Sequence, residues 1–333
     1  MLDRFATYLD HHTRLLLTTH ENPDGDGVGA AIALAAWLKS LGKEVRIVVT
    51  PILPENLRFL DPEGWVEALD LLGAHKDLAA WPDSWVLVDA SEPRRMGPLH
   101  ALFNVTQANR ACLDHHLKDA PEGFDSEFTD PTASASAELV YHLVRPRLPG
   151  AFPPVMAQAI YAGLVSDTGN FRHSNSTPRI HLAAADLIAQ GVHPARTYTA
   201  LYQTATPAKL KLFGRAMGGL QLRAEGRFAF VSVTQSDLAT CAATPEDLDD
   251  LVEEPRKLKG VEVAALFSET ADGQAKVSLR SREKVDVNAV CRKFGGGGHR
   301  LASGAKAAMA LATFVGQVEK AVLEQMGTDL AGS

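Results

Sequence analysis

The sequence has few cysteines, and they lie far apart. Cys112, Cys241 and Cys291 are the only three in 333 residues. An odd number of widely spaced thiols argues against a disulfide framework and against a zinc site built from thiolates. We therefore expect reduced thiols and a cytoplasmic protein.

Long hydrophobic runs are also missing. The longest candidate, residues 28–38, ends at Lys39 and falls short of the roughly 20 apolar residues that a membrane-spanning helix needs. The first four residues show no basic stretch leading into an apolar one, so we expect no signal peptide and no membrane association. A content of 46% apolar and 22% charged residues is typical of a globular protein, and 333 residues favour two domains.

The charge of the chain is unevenly distributed. The formal net charge is −7, but residues 274–306 contain eight basic and two acidic residues and carry +6. The other 25 basic and 38 acidic residues give the remainder −13. An acidic body with one basic segment suits a metal site in the first part and phosphate contacts in the second.

Short apolar runs alternate with helical periodicities through the first 200 residues. This alternation predicts an α/β fold with a doubly wound, mainly parallel sheet, although residues 51–83 show no clear pattern. The predicted strands are residues 15–19, 45–49, 85–88 and 110–113; the predicted helices are residues 2–12, 28–41, 134–144 and 154–165, followed by one that Thr177 and Pro178 open.

The pattern changes after a helical stretch at residues 207–223. Strand-like runs follow at 228–233, 261–267 and 276–279, with short helices between them. We predict a catalytic domain at residues 1–204, a helical linker at 205–225 and a smaller α/β domain at 226–333.

Acidic and imidazole side chains follow the ends of several predicted strands and one helix. In an open α/β sheet, the carboxyl ends of the strands form the edge where ligands bind. Each group alone is compatible with an ordinary turn or helix cap, with Asp26 as the N-cap of the first long helix, but the repeated arrangement favours a shared site. The group consists of His20, Asp24 and Asp26, then Asp89, then Asp114, His115 and His116, and finally Asp167.

Such a donor set predicts divalent cations. Carboxylate oxygens with two imidazoles favour Mn²⁺ first and Mg²⁺ second. Several aspartates can hold two ions roughly 3.5–4 Å apart, as in two-metal phosphoryl hydrolases, where a bound water is acidified into a nucleophile.

A second cluster combines glycines with basic residues. Four glycines precede His299, and Arg280 and Arg282 lie upstream. We expect the backbone N–H groups of Gly296, Gly297 and Gly298 to form an anion-binding nest; the alternative is a flexible linker. Ser134, at the start of a predicted helix, is a further candidate for anion binding or an ordinary N-cap.

Together these motifs resemble the DHH/DHHA1 phosphoesterase family. Residues 20–26 (HENPDGD), 89–97 (DASEPRRMG), 114–116 (DHH) and 163–172 (GLVSDTGNFR) are similar to its four DHH motifs. Residues 295–304 (GGGGHRLASG) are similar to the DHHA1 signature, with Ser303 where alanine is commoner. The resemblance covers nearly the whole chain, and the compact length is similar to the nanoRNase/pAp phosphatase branch.

The resemblance implies a role for each position. One Mn²⁺ would be held by His20, Asp24 and Asp89, and the other by Asp26, Asp89, His115 and Asp167. His116 would contact the scissile phosphate, and Asp114 would orient a histidine. Arg280, Arg282 and His299, with Arg95 or its neighbour Arg94, would bind substrate across an active-site cleft between the domains.

The same resemblance implies the substrates and leaves several rivals open. The expected activity is Mn²⁺-dependent degradation of very short RNA and dephosphorylation of 3′-phosphoadenosine 5′-phosphate (pAp), with short single-stranded DNA as a further substrate and a homodimer as the assembly. The alternatives are a phosphodiesterase for cyclic di-AMP or its linear product pApA, a RecJ-like single-strand exonuclease, a family II pyrophosphatase, and an inactive nucleotide sensor. The pyrophosphatase reading is disfavoured because that family lacks the Gly-rich His cluster.

Overall fold

The structure is a computed structural model and describes residues 1–116 and 123–331. The chain divides into two compact units, Met1–Thr204 and Ala205–Ser333. Among the described residues, none of the helices combines the length and the apolar character that crossing a bilayer requires.

The first unit is built on a six-stranded parallel sheet. Its strand order, β3-β2-β1-β4-β5-β6, confirms the doubly wound fold expected from the sequence. The strands are Arg14–Thr18 (β1), Glu44–Val49 (β2), Val66–Ala68 (β3), Ser84–Val88 (β4), Asn109–Asp114 (β5) and Ser126–Thr129 (β6). The short strand β3 lies in the segment 51–83, where the sequence shows no clear pattern.

Helices cover both faces of this sheet. Alternate residues of the central strands point to opposite faces, so Leu15 and Leu17 belong to one apolar cluster and Leu16 to the other. The helices are Leu2–Asp10 (α1), Gly25–Ser40 (α2), Leu99–Val105 (α3), Ser136–Val144 (α4), Pro154–Asp167 (α5), Pro178–Ala189 (α6) and Pro194–Tyr202 (α7).

Helix α2 is the central helix of the larger cluster. Every residue from Gly25 to Leu38 is buried, which explains why its sequence is apolar on all sides rather than amphipathic. It packs against α5 at glycine positions: a Cβ at Gly29 would lie 2.4 Å from the Ala159 carbonyl oxygen, and one at Gly163 would lie 2.8 Å from Asp26 Oδ1. The close packing of α2 and α5 sets the positions of Asp26 and Asp167.

The second unit contains a six-stranded mixed sheet. The order is β11-β12-β10-β9-β8-β7, and all neighbours are antiparallel except β8 and β9. The strands are Gln221–Arg223 (β7), Phe228–Val233 (β8), Val263–Glu269 (β9), Ala275–Ser281 (β10), Gly297–His299 (β11) and Ala302–Ala307 (β12); the helices are Pro207–Gly218 (α8), Gln235–Cys241 (α9), Glu253–Arg256 (α10), Val287–Arg292 (α11) and Leu311–Leu330 (α12).

The segment expected to be a helical linker is part of this second unit. Leu212 and Ala216 of α8 are buried in an apolar cluster with Ala229 and Val231 of β8. Residues Gln221–Arg223 then form the edge strand β7. Residues 207–223 therefore contribute to the core and sheet of the second unit instead of forming a free connector.

We predict that Gly29→Ala destabilises the first unit. The added methyl group would overlap the Ala159 carbonyl, and forcing extra volume into a packed core costs about 1–3 kcal/mol. Thermal unfolding should show a lower melting temperature than that of Gly150→Ala, a control at a loop position with open space. Equal melting temperatures for the two variants would contradict the packing argument.

Candidate metal centre

The predicted site residues of the first unit meet at the carboxyl ends of β1 and β4. These two strands are neighbours, but the chain continues to β2 on one side and to β5 on the other. Such a reversal opens a crevice at the edge of a parallel sheet. His20, Asp24 and Asp26 follow β1, whereas Asp89 follows β4 directly.

The loop after β1 fixes two aspartates in different ways. Asp24 is the N-cap of α2, and its Oδ1 accepts hydrogen bonds from the N–H groups of Asp26 and Gly27, both at 3.0 Å. The reading of Asp26 as the N-cap is therefore wrong. Asp26 is fully buried and accepts bonds from the N–H groups of Ser136 at 2.6 Å and Ala137 at 2.9 Å, at the start of α4.

Asp89 adopts a backbone conformation that is rare for its residue type. Its φ is +63°, in the left-handed region that costs a residue with a side chain extra energy. Its N–H donates to the Leu113 carbonyl oxygen at 3.0 Å, which ties the turn to β5. The Ser136 hydroxyl donates to Asp89 Oδ1 at 3.1 Å.

The side chains form three groups of candidate ligands, each with ligand atoms within 4.8 Å of one another. The first is His20, Asp24 and Asp89, the second is Asp26, His115 and Asp167, and the third joins Asp89 to Asp114, His115 and His116. His20 Nε2 lies 3.7 Å from Asp89 Oδ2, and His115 Nε2 lies 3.4 Å from Asp89 Oδ1. Asp89 thus lies between the first two groups, with one oxygen toward a histidine of each.

The electrostatics of this cluster fit a divalent cation. Burial and the charges of Asp89 and Asp167 raise the pKa of Asp26 well above its ordinary value, and burial with the charge of Asp24 does the same for Asp89. Burial also raises the pKa of Asp167, despite the opposing effect of His115. Neighbouring carboxylates that repel one another are stabilised when a cation lies between them.

An unpaired imidazole nitrogen supports the same fit. His115 Nε2 is buried and has no hydrogen-bond partner among residues 1–116 and 123–331. It lies 3.9 Å from Asp26 Oδ2 and 3.7 Å from Asp167 Oδ2. A buried nitrogen facing carboxylate oxygens without bonding them is suited to coordinate a metal ion.

Asp114 and His116 form a pair beside the cluster. Asp114 is fully buried, and its Oδ1 lies 2.8 Å from His116 Nδ1 and accepts from the His115 N–H at 2.8 Å. Burial raises the pKa of Asp114, but its contacts with His116 lower it more, so the carboxylate stays ionised. An ionised carboxylate only accepts hydrogen bonds, so Nδ1 of His116 carries a proton and Nε2 is left for other chemistry.

Several supporting residues were missed at the sequence level. Ser136 bonds Asp89 through its hydroxyl, and Asn175 Nδ2 donates to Asp167 Oδ2 at 3.2 Å and to the Ser134 carbonyl at 3.0 Å. The predicted anion contact at Ser134 is not favoured by its surroundings: the side chain is 1% exposed, and its hydroxyl donates to the Asn175 carbonyl at 2.6 Å. Ser134 therefore anchors a loop next to the metal cluster.

Of the two neighbouring arginines, Arg95 acts on the cluster. Burial and the positive charge of Arg95 both lower the pKa of His20. The contacts of His20 with Asp24 raise that pKa by more, so the net shift is upward. Arg94 instead pairs with Glu92, with 2.7 Å between Nε and Oε2. The carbonyl oxygen of Arg95 also accepts the Glu21 N–H at 2.6 Å, which joins the loops after β1 and β4.

The glycine run of the second unit does not form the expected open nest. The N–H groups of Gly295 and Gly296 donate to the carbonyls of Arg292 and Cys291 and cap helix α11. Gly297, Gly298 and His299 form strand β11, which pairs with β12. Gly297, Gly298 and His299 are exposed on this hairpin, and Gly296 is partly exposed at its start.

The predicted basic residues of the second unit lie on or beside strand β10. Arg280 Nε is 3.3 Å from Glu253 Oε1, and Arg282 Nε donates to the Val261 carbonyl at 3.0 Å. Arg280 lies opposite Ala302, which in turn lies opposite His299, so Arg280 and His299 share one row of the sheet.

Comparison with known proteins identifies the family. A model described as the DHH family, N-terminal domain, matches residues 14–164, and a DHHA1 domain model matches residues 232–324. A relative from Thermus thermophilus, named bifunctional oligoribonuclease and PAP phosphatase NrnA, is 32% identical over 292 residues, which cover 87% of this chain and 83% of that protein. The chain belongs to the DHH/DHHA1 family. The resemblance seen in the sequence is thereby confirmed.

Further comparisons extend this result. A Bacillus subtilis protein of the same name is 28% identical over 294 residues, covering 87% of this chain and 88% of that protein. The crystal structure of an exopolyphosphatase-related protein from Bacteroides fragilis matches with a TM-score of 0.90 at 24% identity, covers 97% and 95% of the two chains, and shows the same fold. As a DHH/DHHA1 member with such relatives, the chain is a phosphoric ester hydrolase with an Asp/His cluster suited to metal binding.

We predict opposite effects of Asp89→Asn with and without metal. The raised pKa of Asp89 means that its ionised form destabilises the metal-free fold as the pH rises above the pKa of the unfolded state. The neutral amide removes this cost, and asparagine tolerates a positive φ. At pH 7.5 with EDTA, the variant should melt a few degrees above the wild type, because each kcal/mol of added stability raises the melting temperature by about 2–4 °C.

Added Mn²⁺ should reverse this order. Binding of an ion at 100 times its dissociation constant stabilises a fold by about 2.7 kcal/mol, and this gain should be largely lost in Asp89→Asn. The exposed Asp10→Asn is the control and should respond to Mn²⁺ as the wild type does. Equal Mn²⁺-induced shifts in all three proteins would exclude Asp89 as a ligand.

We also predict that Glu138→Gln lowers the free energy of unfolding, and that the loss depends on pH. Burial raises the pKa of Glu138, but contacts with His142, the Ser134 N–H and Arg179 outweigh it and lower the pKa from 4.5 to about 2. The ionised carboxylate therefore contributes stability above pH 4.5 that is lost as the pH falls toward 2. Denaturant unfolding should show a loss of about 2–3 kcal/mol at pH 7 and a smaller one at pH 3.5. The exposed Glu63→Gln is the control, and a loss independent of pH would contradict the assignment.

Proposed function

We propose that this chain is a Mn²⁺-dependent phosphohydrolase that degrades very short oligoribonucleotides to mononucleotides and removes the 3′-phosphate from pAp. The observation that carries the proposal is the position of Asp89, whose two carboxylate oxygens face His20 on one side and His115 on the other, between two groups of candidate ligands. Relatives named oligoribonuclease and PAP phosphatase, similar over most of both chains, support the substrate class.

The two ligand groups would hold one ion each. His20, Asp24 and Asp89 would bind the first, and Asp26, Asp89, His115 and Asp167 the second. Oxygen ligands with one imidazole per site suit Mn²⁺, with Mg²⁺ as the alternative. Bound divalent ions supply an acidified water and offset the negative charge of a phosphate group.

His116 would donate a proton to the leaving group. Asp114 holds its Nδ1, and the side chain is 38% exposed, which gives a substrate access to the ring. With Nδ1–H directed to the carboxylate, Nε2 is the atom that would contact the phosphate and protonate the leaving oxygen. Asp114 thus acts through His116 as a positioning residue.

Residues of the second unit would bind the substrate. Arg280 and Arg282 supply guanidinium groups suited to phosphate, and the exposed His299 adds an imidazole beside Gly297 and Gly298. Arg95, whose charge already acts on His20, would assist from the first unit. These contacts would favour a short, phosphate-bearing substrate.

A product time course with Mn²⁺ tests the proposal. The substrates are pAp, pApA, a five-residue RNA, a long single-stranded DNA and cyclic di-AMP. We expect fast turnover of pApA and pAp and little of the long strand. Preference for long DNA would indicate a RecJ-like exonuclease, and opening of cyclic di-AMP at a comparable rate would indicate a cyclic dinucleotide phosphodiesterase. Metal binding without any turnover would contradict the hydrolase assignment.

We predict that His116→Ala lowers kcat on pApA by about 10²–10⁴, the usual contribution of a positioned acid or base. Mn²⁺ binding, measured by calorimetry, should remain because the proposal assigns His116 to neither ion, although its ring lies in the third ligand group with Asp89, Asp114 and His115. His11→Ala, at an exposed histidine directly after α1, is the matched control and should keep wild-type kcat. Loss of Mn²⁺ binding in His116→Ala would make this residue a ligand instead of a proton donor.

A further inference from the structure

Part of the second sheet presents an open basic face. Ala275, Val277 and Leu279 of β10 point into one apolar cluster, which α11 and α12 cover. The intervening residues of β10 therefore point to the opposite face. On that face a second cluster with α8 and α9 covers β8 and β9 through residues such as Ala264 and Leu266.

The residues of β10, β11 and β12 on this face form three rows. Arg280, Ala302 and His299 make up the first row, and Ser278, Gly304 and Gly297 the second. Lys276 and Lys306 make up the third row, directly opposite each other. We call these three rows the basic strip.

The lysine pair is unusual for a sheet. Two like charges directly opposite on neighbouring strands have Cβ atoms about 4.5–5.5 Å apart and destabilise the pairing. Both side chains are exposed. Among the described residues, no carboxylate oxygen lies within 4.0 Å of the ammonium group of Lys276 or Lys306, so neither lysine forms an ion pair there. The charge of Lys276 acts to lower the pKa of Asp249, but the two residues form no ion pair. An anionic ligand would relieve the repulsion between the two lysines.

The two charged rows of the basic strip lie well apart along the strands. Successive residues on one face are two positions apart, so the first and third rows are separated by about 13–14 Å at ~3.4 Å per residue. The middle row consists of Ser278, Gly304 and Gly297, which offer little side-chain bulk to block a strand that crosses it. A positively charged track of this kind is how proteins follow a single-stranded backbone without reading its sequence.

We propose that Lys276 and Lys306 form a second phosphate subsite that binds the backbone of oligonucleotides longer than a dinucleotide. The inference rests on the proposed function in one respect, namely that Arg280 and His299 contact the substrate at the other end of the strip. The lysine pair would then set how strongly the enzyme prefers three- to five-residue RNA over pApA.

The test is the double variant Lys276→Ala/Lys306→Ala in the full chain with Mn²⁺. We expect KM for a five-residue RNA to rise roughly tenfold relative to KM for pApA, with kcat on the pentamer unchanged, because two exposed phosphate contacts are lost; a tenfold change corresponds to about 1.4 kcal/mol for the two together. Lys276→Arg/Lys306→Arg should restore the wild-type ratio. The matched control is Lys320→Ala, an exposed lysine on α12 beyond the opposite face.

A binding measurement separates this inference from the proposed function. Fluorescence anisotropy of a labelled pentamer at several salt concentrations should give a slope of log affinity against log salt that is shallower by about 1.4 in the alanine double variant, at about 0.7 per phosphate contact. Equal slopes and an equal KM ratio would overturn the subsite. Lysine-dependent binding in a chain that hydrolyses none of the substrates would uphold the subsite and contradict the proposed function.

Discussion

Mutual repulsion among buried carboxylates is the constraint on which the structure depends. Asp26, Asp89 and Asp167 are brought together by elements far apart in sequence, and burial together with the charges of neighbouring aspartates raises their pKa values, so the metal-free fold carries both as a cost. The parallel strands and the tightly packed helices α2 and α5 compensate for it with apolar burial. A fold that keeps such a cluster is organised to hold cations.

Much of this site could be predicted from the sequence, because each apolar run ends directly on its polar residue. Asp89 follows a strand whose five residues are all buried, and Asp114 ends the next strand. Because the strands of the sheet are parallel, their carboxyl ends then lie together at one edge. The sequence could not distinguish Asp24 from Asp26 as the helix cap, since each directly precedes a glycine in the same turn and only the three-dimensional contacts with α4 decide.

The parts that could not be predicted depend on contacts between distant segments. Nothing in the local pattern around Ser136 or Asn175 indicates that they hold Asp89 and Asp167. The glycine run shows the same limit, because four glycines allow a nest, a cap or a strand. The structure uses Gly295 and Gly296 to cap α11 and Gly297 and Gly298 to pair with β12, which places His299 in register with Arg280.

The most direct test of the account is the anomalous scattering of Mn²⁺ in crystals of the wild-type protein. The account predicts two peaks roughly 3.5–4 Å apart, with one oxygen of Asp89 on each ion. His20 and Asp24 should contact only the first ion, and Asp26, His115 and Asp167 only the second. A single peak, or two peaks without a shared carboxylate, would contradict the central claim that Asp89 joins two metal sites.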